Sequence, residues 1–463
     1  MKERYLKWIF LLVMSSVRIG MGIIYSITGP TLPVLAEHLC QTPDTVGWIL
    51  AGRSAGLLIG SLLAPMVDKT DKLSHMFLLF ISAAVCGASL GIIPILTDLW
   101  IMILVISVTG IMLGYIDAAI QVIILKIWGS VSSASIIQLH HFTFSIGAFI
   151  APLIVTPFYE NVDDNVCDAG SDPGACVGIG DENVILTPYL IGMAIMLTAA
   201  ALVLWLFCIN IVEKIAGDDE VECETRKEDK FGTVWAYFLC VTIYYFCIVG
   251  GENTYQANIF SWAVCTDVKM DINDATLLNS IFWGGFGLGR GSGIFITRFI
   301  TPGVFILIDL VLIGIPCIIL LIWPEDQIVL WVCTFFYGLG TASFYGSGIS
   351  YSSILTNMSG KWFFIFGLGN ALGNLSMPVL GTALVFSDTP YNFLVQMFAM
   401  AVGAAAAFLG MWFFGYQASC AGCLPEAVRA REAELEGGNE KVEDVRKSQV
   451  SPAFEKELSD TEF

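Results

Sequence analysis

Long apolar runs, separated by short polar segments, recur along the whole chain. A membrane-spanning helix needs about 20 predominantly apolar residues, and runs of this length follow one another with little room for any other element. The pattern predicts an all-α membrane protein with twelve transmembrane helices, at residues 8–35, 44–67, 75–97, 99–126, 136–158, 185–212, 233–262, 275–299, 302–323, 326–355, 361–386 and 391–416.

Composition agrees with a membrane protein and excludes a soluble class. Of the 463 residues, 56% are hydrophobic and 14% are charged, whereas about a quarter are charged in soluble domains. The first run follows three basic residues, as in a signal peptide, but it is too long and contains Arg18, so we expect it to be retained. The chain carries no HExxH, GxSxG or phosphate-loop motif, and we predict neither an enzyme nor a nucleic-acid partner.

The basic residues predict the orientation of the chain. Twelve spans return the chain to the side on which it began, and basic residues beside spans favour the cytoplasmic side. Those outside the spans fall almost entirely on the side of the N-terminus, whereas Lys269 alone lies in a loop on the opposite side. Both termini are therefore predicted to be cytoplasmic, and the plasma membrane is the expected location.

One predicted outer loop carries two cysteines. Cys167 and Cys176 both lie within residues 159–183, so a disulfide closing this loop is one expectation and a pair of free thiols is the other. Most of the other cysteines lie in the spans, where we expect them to pack as small apolar side chains.

Short motifs recur in the two halves of the chain. The repeated pairs, at offsets of 226 to 237 residues, are Gly52-Arg53 with Gly289-Arg290, and Gly147 and Pro152 with Gly373 and Pro378. They predict two six-helix repeats. The expected domains are a first half at 1–212, a cytoplasmic linker at 213–232, a second half at 233–416 and a disordered cytoplasmic tail at 417–463.

Their equivalent positions suggest scaffold roles for these motifs. We expect Arg53 and Arg290 to cap carbonyl groups of neighbouring helices rather than bind a substrate. Gly147 and Pro152 are interpreted as hinge elements or points of close helix contact, because glycine permits close approach and proline interrupts the hydrogen bonds of a helix.

Two six-span repeats with a long central loop resemble the major facilitator superfamily. The loop after span two carries Asp68-Lys69-Thr70-Asp71-Lys72, which matches the acid and the bases of that family's signature but has Ala64 and Asp71 where glycines are usual. The chain is most similar to the sodium-dependent glucose transporter type, through these segments: residues 28–33, Gly52-Arg53, residues 139–152 and Gly251-Glu252. The resemblance implies that the halves rock about a central site and that Asp68 belongs to an inner gate.

An aspartate within the fourth span is the first candidate for function. A buried carboxylate is costly in a membrane unless it faces a partner or a wet space, and Asp117 shares a helical face with Gln121, four residues on. Counted from the basic residues at the ends of their spans, Arg18 and Asp117 stand about 14–16 Å above the inner surface. We therefore expect them to pair. The alternatives are that Arg18 extends to the surface and that Asp117 makes a structural hydrogen bond.

Several further polar residues lie within spans at helical spacing. They are predicted to bind substrate together with Gln121, and they comprise Gln138 and His141 in span five, Glu252, Tyr255 and Gln256 in span seven, and Asn370 and Asn374 in span eleven. Carboxylates and amides can hydrogen-bond sugar hydroxyls, and aromatic rings can stack on a sugar. A polar seam between helices and a buried histidine that only packs are the alternatives.

These residues predict a secondary active transporter for a small polar solute, with a hexose as the expected substrate and the lipid bilayer as its surroundings. Asp117 is the candidate coupling site, and no cofactor is expected apart from a sodium ion there. The acid in span four and the histidine in span five also resemble the fucose and proton symporters, but those carry a further acid in span one, where this chain has Arg18. Proton-coupled transport, uncoupled transport and a receptor or scaffold that transports nothing remain alternatives.

Overall fold

The computed structural model describes residues 2–68, 75–158, 167, 183–215, 235–296, 299–355 and 360–418, and this part of the chain is helical and contains no strand. Its helices, in chain order, are α1 Lys2–Ser26, α2 Thr28–His38, α3 Pro43–Val46, α4 Trp48–Asp68, α5 His75–Ile92, α6 Leu99–Val155, α7 Asn183–Cys208, α8 Ile211–Ile215, α9 Trp235–Cys265, α10 Ile272–Ile296, α11 Pro302–Ile322, α12 Gln327–Thr341, α13 Phe344–Leu355, α14 Gly360–Val385 and α15 Asn392–Ala418.

The helices correspond to the twelve apolar runs. Within the described ranges, eleven segments are long and apolar enough to cross a membrane. The remaining run is α10, whose 25 residues would reach across a bilayer but include Asn279, Arg290 and several glycines, which lower its hydropathy. It packs between α6 and α12, so protein rather than lipid surrounds much of it, and it completes the twelve-helix bundle.

Spans four and five form one hydrogen-bonded run, α6, which reverses direction. In a straight helix, Asp117 and His141 would lie about 36 Å apart, because they are separated by 24 positions. Both side chains instead contact the guanidinium of Arg18 on α1. The chain of α6 therefore turns back between these two residues, and spans four and five are antiparallel, as the predicted boundaries require.

Equivalent helices in the two halves begin in the same way. The side chain of Asp98 accepts hydrogen bonds from the backbone of Trp100 and Ile101 at the start of α6, and Asp326 accepts one from Val329 at the start of α12. Each carboxylate satisfies backbone N–H groups that have no partner within the helix. The repeat is thus visible in capping as well as in sequence.

The glycines of the repeat lie where helix backbones touch. A Cβ atom on Gly147 would overlap the carbonyl oxygen of Ile19, and a Cβ on its counterpart Gly373 would overlap that of Phe246. These contacts join α1 to α6 and α9 to α14. Close helix contact is thus present at Gly147, while Pro152 is buried near the end of α6. The hinge function of both residues stays a prediction.

The two halves meet at the end of the bundle away from the chain termini, which we call the far end. A Cβ on Gly29 would lie 2.9 Å from the carbonyl oxygen of Gln256, and one on Gly47 would lie 3.0 Å from Thr382. Both contacts cross from the first half to the second. They bring the beginnings of α2 and α4 against the far ends of α9 and α14.

A disulfide also joins the halves at the far end. Cys167 bonds to Cys265 at the end of α9, with their Cα atoms 5.3 Å apart. The expected pairing of Cys167 with Cys176 is therefore wrong, because folding brings the end of α9 to the loop after span five, a proximity that sequence spacing does not reveal. Cys176 lies outside the described residues.

Three other expectations fall largely outside the described residues. Asp68 ends α4, but its side chain is not described, and the rest of its motif follows the end of the described range. The predicted linker at 213–232 is described only as far as Ile215, and the predicted tail only as far as Ala418.

We predict that the Cys167–Cys265 bond holds the halves together after the linker is cut. A protease site inserted between Ile215 and Trp235 should give a single band on a gel without reductant and two fragments with reductant. In Cys265→Ser the fragments should separate without reductant. Cys333→Ser, which removes a buried free cysteine of α12, serves as the control. Separation of the cut wild type without reductant would contradict the observed pairing.

Candidate substrate and cation site

Arg18 is the centre of a charged group in the first half. Its side chain is 6% exposed, one terminal nitrogen donates to Asp117 Oδ1, and the other lies 2.5 Å from His141 Nδ1. A guanidinium only donates hydrogen bonds, so Nδ1 of His141 is the acceptor and the imidazole is neutral in this arrangement. The pairing of Arg18 with Asp117 expected from the sequence is present, and His141 joins it.

The contact with Arg18 compensates the charge of Asp117 but does not bury its side chain. The Asp117 side chain remains 36% exposed, and Gln121 is half-buried one turn further along the same face of α6. A carboxylate inside a bundle that keeps this exposure borders open space. Asp117 can therefore exchange partners more readily than the nearly buried Arg18.

Tyr25, which follows Arg18 along α1 toward the far end, connects the two halves. Its hydroxyl donates to Asn253 Oδ1 at 2.6 Å and lies 3.4 Å from Asn374 Oδ1. Arg53 packs its guanidinium 4.0 Å from the centre of the Tyr25 ring and donates to the Tyr25 carbonyl oxygen at 2.9 Å. The scaffold role expected of Arg53 is therefore present in the first half.

Arg290 does not copy the role of Arg53. Its guanidinium lies 4.7 Å from the centre of the Phe286 ring, and its Nε is buried without a hydrogen-bond partner. It interacts electrostatically with Glu252, Arg18 and Asp117. The expectation of a shared scaffold role thus fails for Arg290, because its helix faces the charged interior at that position.

Glu252 faces Arg290 without touching it. The carboxylate is half-buried and lies within electrostatic range of Arg290 and of Tyr25. Among the described residues it makes no hydrogen bond and no ion pair. A carboxylate can accept about four hydrogen bonds, so Glu252 has unused capacity within electrostatic range of Arg290, which forms no ion pair with any described residue.

An aromatic wall lies beside these polar groups. The Phe144 ring packs edge-on against Tyr25 and against Trp283, with centroid distances of 5.8 Å in both pairs. Arg18 lies 5.4 Å from the centre of the same ring, and the indole Nε1 of Trp283 is buried without a hydrogen-bond partner. Flat rings next to unused donors and acceptors suit a ligand with both apolar and polar faces.

The remaining polar neighbours lie on α6, α13 and α14. Tyr345 is 37% exposed and its side chain hydrogen-bonds that of Asn370. Gln138 is exposed, and its Nε2 lies 3.3 Å from where a Cβ on Gly346 would stand. We call the following residues the central polar cluster: Arg18, Tyr25, Asp117, His141, Glu252, Asn253, Arg290, Tyr345, Asn370 and Asn374.

Four of the predicted substrate-binding residues lie outside this cluster: Gln121 and Gln138 border it, whereas Tyr255 and Gln256 face away from it. The Tyr255 hydroxyl lies 2.7 Å from Thr334 Oγ1, and its ring stacks on Tyr337 at 4.4 Å inside the second half. Gln256 is 1% exposed, and its carbonyl oxygen accepts from Asn279 at the far end. Their helical spacing from Glu252 was correct, but the packing of α9 against α10 and α12 turns them away.

The predicted substrate-binding residues do not include Arg290, Asn253 and Tyr345, which the structure brings into the cluster. A charged residue within a span indicates a functional site in itself. Arg290 carries this signal, but its match to Arg53 in the repeat favours a scaffold role instead. No group of three or more His, Cys, Asp or Glu side chains in the described part of the chain could hold a metal ion.

We predict that Arg18 and Asp117 depend on each other for stability. Removing one member of a fully buried charged pair costs about 3–5 kcal/mol, and we expect less here because Asp117 is partly exposed. Asp117→Asn should cost more than Arg18→Gln, because Arg18 is nearly buried while Asp117 is partly exposed and can be hydrated. The double variant should lose less stability than the sum of the losses in the two single variants. Thermal unfolding of the purified variants measures the coupling, and strictly additive losses would contradict the pairing.

Comparison of the sequence with known proteins gives related transporters. The sequence profile of the Major Facilitator Superfamily matches residues 14–360. Sodium-dependent glucose transporter 1A of Mus musculus is 30% identical over 374 residues, which cover 78% of this chain and 86% of that protein. Sodium-dependent glucose transporter 1 of Homo sapiens is 28% identical over 375 residues, covering 78% of this chain and 71% of that protein.

Comparison of the fold gives transporters as well. The xylose transporter XylE from E. coli superposes with a TM-score of 0.62 at 13% identity, over 88% of this chain and 98% of that one. The nucleoside transporter NupG superposes with a TM-score of 0.58 at 12% identity, over 87% of this chain and 99% of that one. A profile match over most of the length and an all-helical fold shared with these transporters agree, and the chain belongs to the major facilitator superfamily.

Proposed function

We propose that this protein is a secondary active transporter that carries a hexose together with sodium by alternating access. The family and the relatives are transporters, and the relatives at 28–30% identity are named sodium-dependent glucose transporters. The cluster between the two halves supplies the chemistry that a sugar requires. Sodium and hexose as the two substrates are the proposal.

The observation that carries the sugar site is the unused hydrogen-bonding capacity around Glu252. This carboxylate and the unpaired Arg290 face each other without contact, beside the amides of Asn253 and Asn374. Sugar hydroxyls both donate and accept, so one ring can bridge a carboxylate and a guanidinium. Its apolar face would pack against Phe144.

The contacts between the halves suit alternating access. Tyr25, Asn253 and the contacts of Gly29 close the cluster toward the far end, whereas Asp117 and Tyr345 remain partly exposed. In the proposed cycle this arrangement is open toward the termini, and rocking of the halves would part Tyr25 from Asn253. This movement would break the Tyr25 hydrogen bonds and the backbone contacts of Gly29, and the Cys167–Cys265 disulfide would limit how far the far end opens.

The disulfides favour the proposed orientation. Cys167 and Cys265 are bonded at the far end, and Cys40, which follows α2 at the same end, is also disulfide-bonded. Disulfides form and persist in oxidising compartments and on cell surfaces. We therefore propose that the far end faces outward, that both termini are cytoplasmic and that the plasma membrane is the site of action.

Asp117 contributes to coupling through its contact with Arg18 in this proposal. A sodium ion at Asp117 would have to displace a guanidinium that already compensates the carboxylate. A proton could instead be taken up by His141 or Asp117, either of which would release Arg18. Proton coupling is therefore the second candidate, favoured by this three-residue contact.

We predict that an inward sodium gradient drives accumulation of labelled glucose in proteoliposomes. At one ion per sugar, a tenfold gradient supports accumulation of up to about tenfold. Uptake should fall to the equilibrium level when choline replaces sodium at fixed pH. Accumulation driven by a pH gradient without sodium would favour the proton-coupled candidate, and equal flux in all conditions would contradict coupling.

We predict that Glu252→Gln weakens hexose binding. A hydrogen bond to a charged group contributes about 1.5–3 kcal/mol, so KM for glucose uptake should rise about tenfold or more. Glu325→Gln makes the same chemical change at an exposed position between α11 and α12 and should leave KM unchanged. An unchanged KM in Glu252→Gln would remove this carboxylate from the sugar site.

A further inference from the structure

A second carboxylate is buried within the bundle, and no cation compensates it. Asp309 lies on α11 and is 2% exposed. Its hydrogen bond within the described residues comes from Ser343, whose Oγ donates to Oδ2 at 2.6 Å. The described part of the chain places no Lys, Arg or His in an ion pair with it, in contrast to Asp117. A buried ionised carboxylate without a compensating charge is strongly unfavourable.

Ser343 lies at an interruption of span ten. Helix α12 ends at Thr341 and α13 begins at Phe344, so Ala342 and Ser343 stand between two helical segments. The last carbonyl oxygens of α12 therefore lack their usual backbone partners, although the Thr341 hydroxyl lies 3.1 Å from those of Tyr337 and Gly338. Interrupted membrane helices place such carbonyl groups where they can bind cations. The interruption is directly beside the buried carboxylate.

Tyr244 adds a third side-chain oxygen. Its ring packs edge-on against Phe344 with a centroid distance of 6.0 Å, and Tyr244 interacts electrostatically with Asp309. The Tyr244 residue is fully buried, yet its hydroxyl has no hydrogen-bond partner. A buried hydroxyl without a partner is destabilising, so one that lies within electrostatic range of a buried carboxylate requires an explanation.

We propose that Asp309, Ser343 and Tyr244, with carbonyl groups at the α12–α13 interruption, form a sodium site in the second half. The proposal rests on the sodium coupling proposed above and assigns the ion a place other than Asp117. Hard cations prefer oxygen ligands, and one sodium ion would neutralise one carboxylate. A proton on Asp309 would also neutralise it, but would leave the Tyr244 hydroxyl without a partner.

The site is connected to the central polar cluster by a short path. Tyr345 follows Ser343 by two residues, and the Tyr245 hydroxyl donates to the Tyr345 carbonyl oxygen at 2.9 Å. The Tyr345 side chain reaches Asn370 in the cluster. An ion bound at the interruption would fix the start of α13, and with it the position of Tyr345. Sodium would thereby prepare the sugar site.

Sodium-dependent thermal stabilisation of the purified full-length protein tests this site without any sugar. Sodium chloride is titrated against choline chloride at constant ionic strength and pH. Wild type should be stabilised by sodium, and Asp309→Asn should lose this response. In Ser343→Ala and Tyr244→Phe, half-maximal stabilisation should need about tenfold more sodium, as expected for loss of one ligand worth about 1.4 kcal/mol.

The control is Ser352→Ala, which removes another buried serine hydroxyl of α13, one that accepts from Tyr237. Its sodium response should match wild type. Ser343→Ala and Tyr244→Phe keep the test decisive if Asp309→Asn fails to fold. A sodium response that is lost in Asp117→Asn but kept in all three site variants overturns the proposal and leaves sodium coupling intact.

Two further results bear on the proposal. If wild type shows no sodium response but is stabilised by low pH in an Asp309-dependent way, the site binds a proton and the sodium assignment is overturned. If neither sodium nor pH changes the stability of wild type, the site and the proposed sodium coupling both fail. A normal sodium response without glucose uptake would instead reject only the hexose assignment.

Discussion

The contact of Arg18 with Asp117 and His141 is the interaction on which the first half depends. It brings together three helical segments at a depth where the nearly buried Arg18 requires a compensating charge, because lipid offers no water to solvate it. The same contact requires α6 to reverse between its two polar residues. The guanidinium thus satisfies an electrostatic need and fixes the arrangement of spans one, four and five.

The second half has the same scaffold but a different distribution of charge. Gly147 and Gly373 place helix backbones in contact at equivalent positions, yet the counterpart of Asp117, at an offset of 226 residues, is the uncharged Ser343. The acid of the second half is Asp309 on α11, which meets Ser343 from the neighbouring helix. Asp117 of the first half is thus paired with an arginine, whereas Asp309 has no such partner among the described residues.

This asymmetry separates residues with unused hydrogen-bonding groups at the interface from a buried acid within the second half. Glu252 and Arg290 face the interface with unused hydrogen-bonding groups, so they are available to a solute. Asp309 lies behind the interrupted span ten, where a change in its charge compensation would act on α13. The far end is joined by hydrogen bonds, close backbone contacts and a disulfide, so relative motion of the halves must begin from that end or pivot about it.

The amino-acid sequence by itself determined the twelve helices, the repeat and the pairing of Arg18 with Asp117, because apolar length and depth along a helix are properties of single segments. Only the tertiary structure decided that Cys167 bonds to Cys265, that Tyr255 faces the interior of the second half, and that Arg290 joins the cluster. Asp309 lies in the ninth predicted span, where a charged residue is itself a signal, but only the structure shows that Ser343 meets it. Which face of a helix meets which neighbour depends on packing between distant segments, and local periodicity carries no information about that choice.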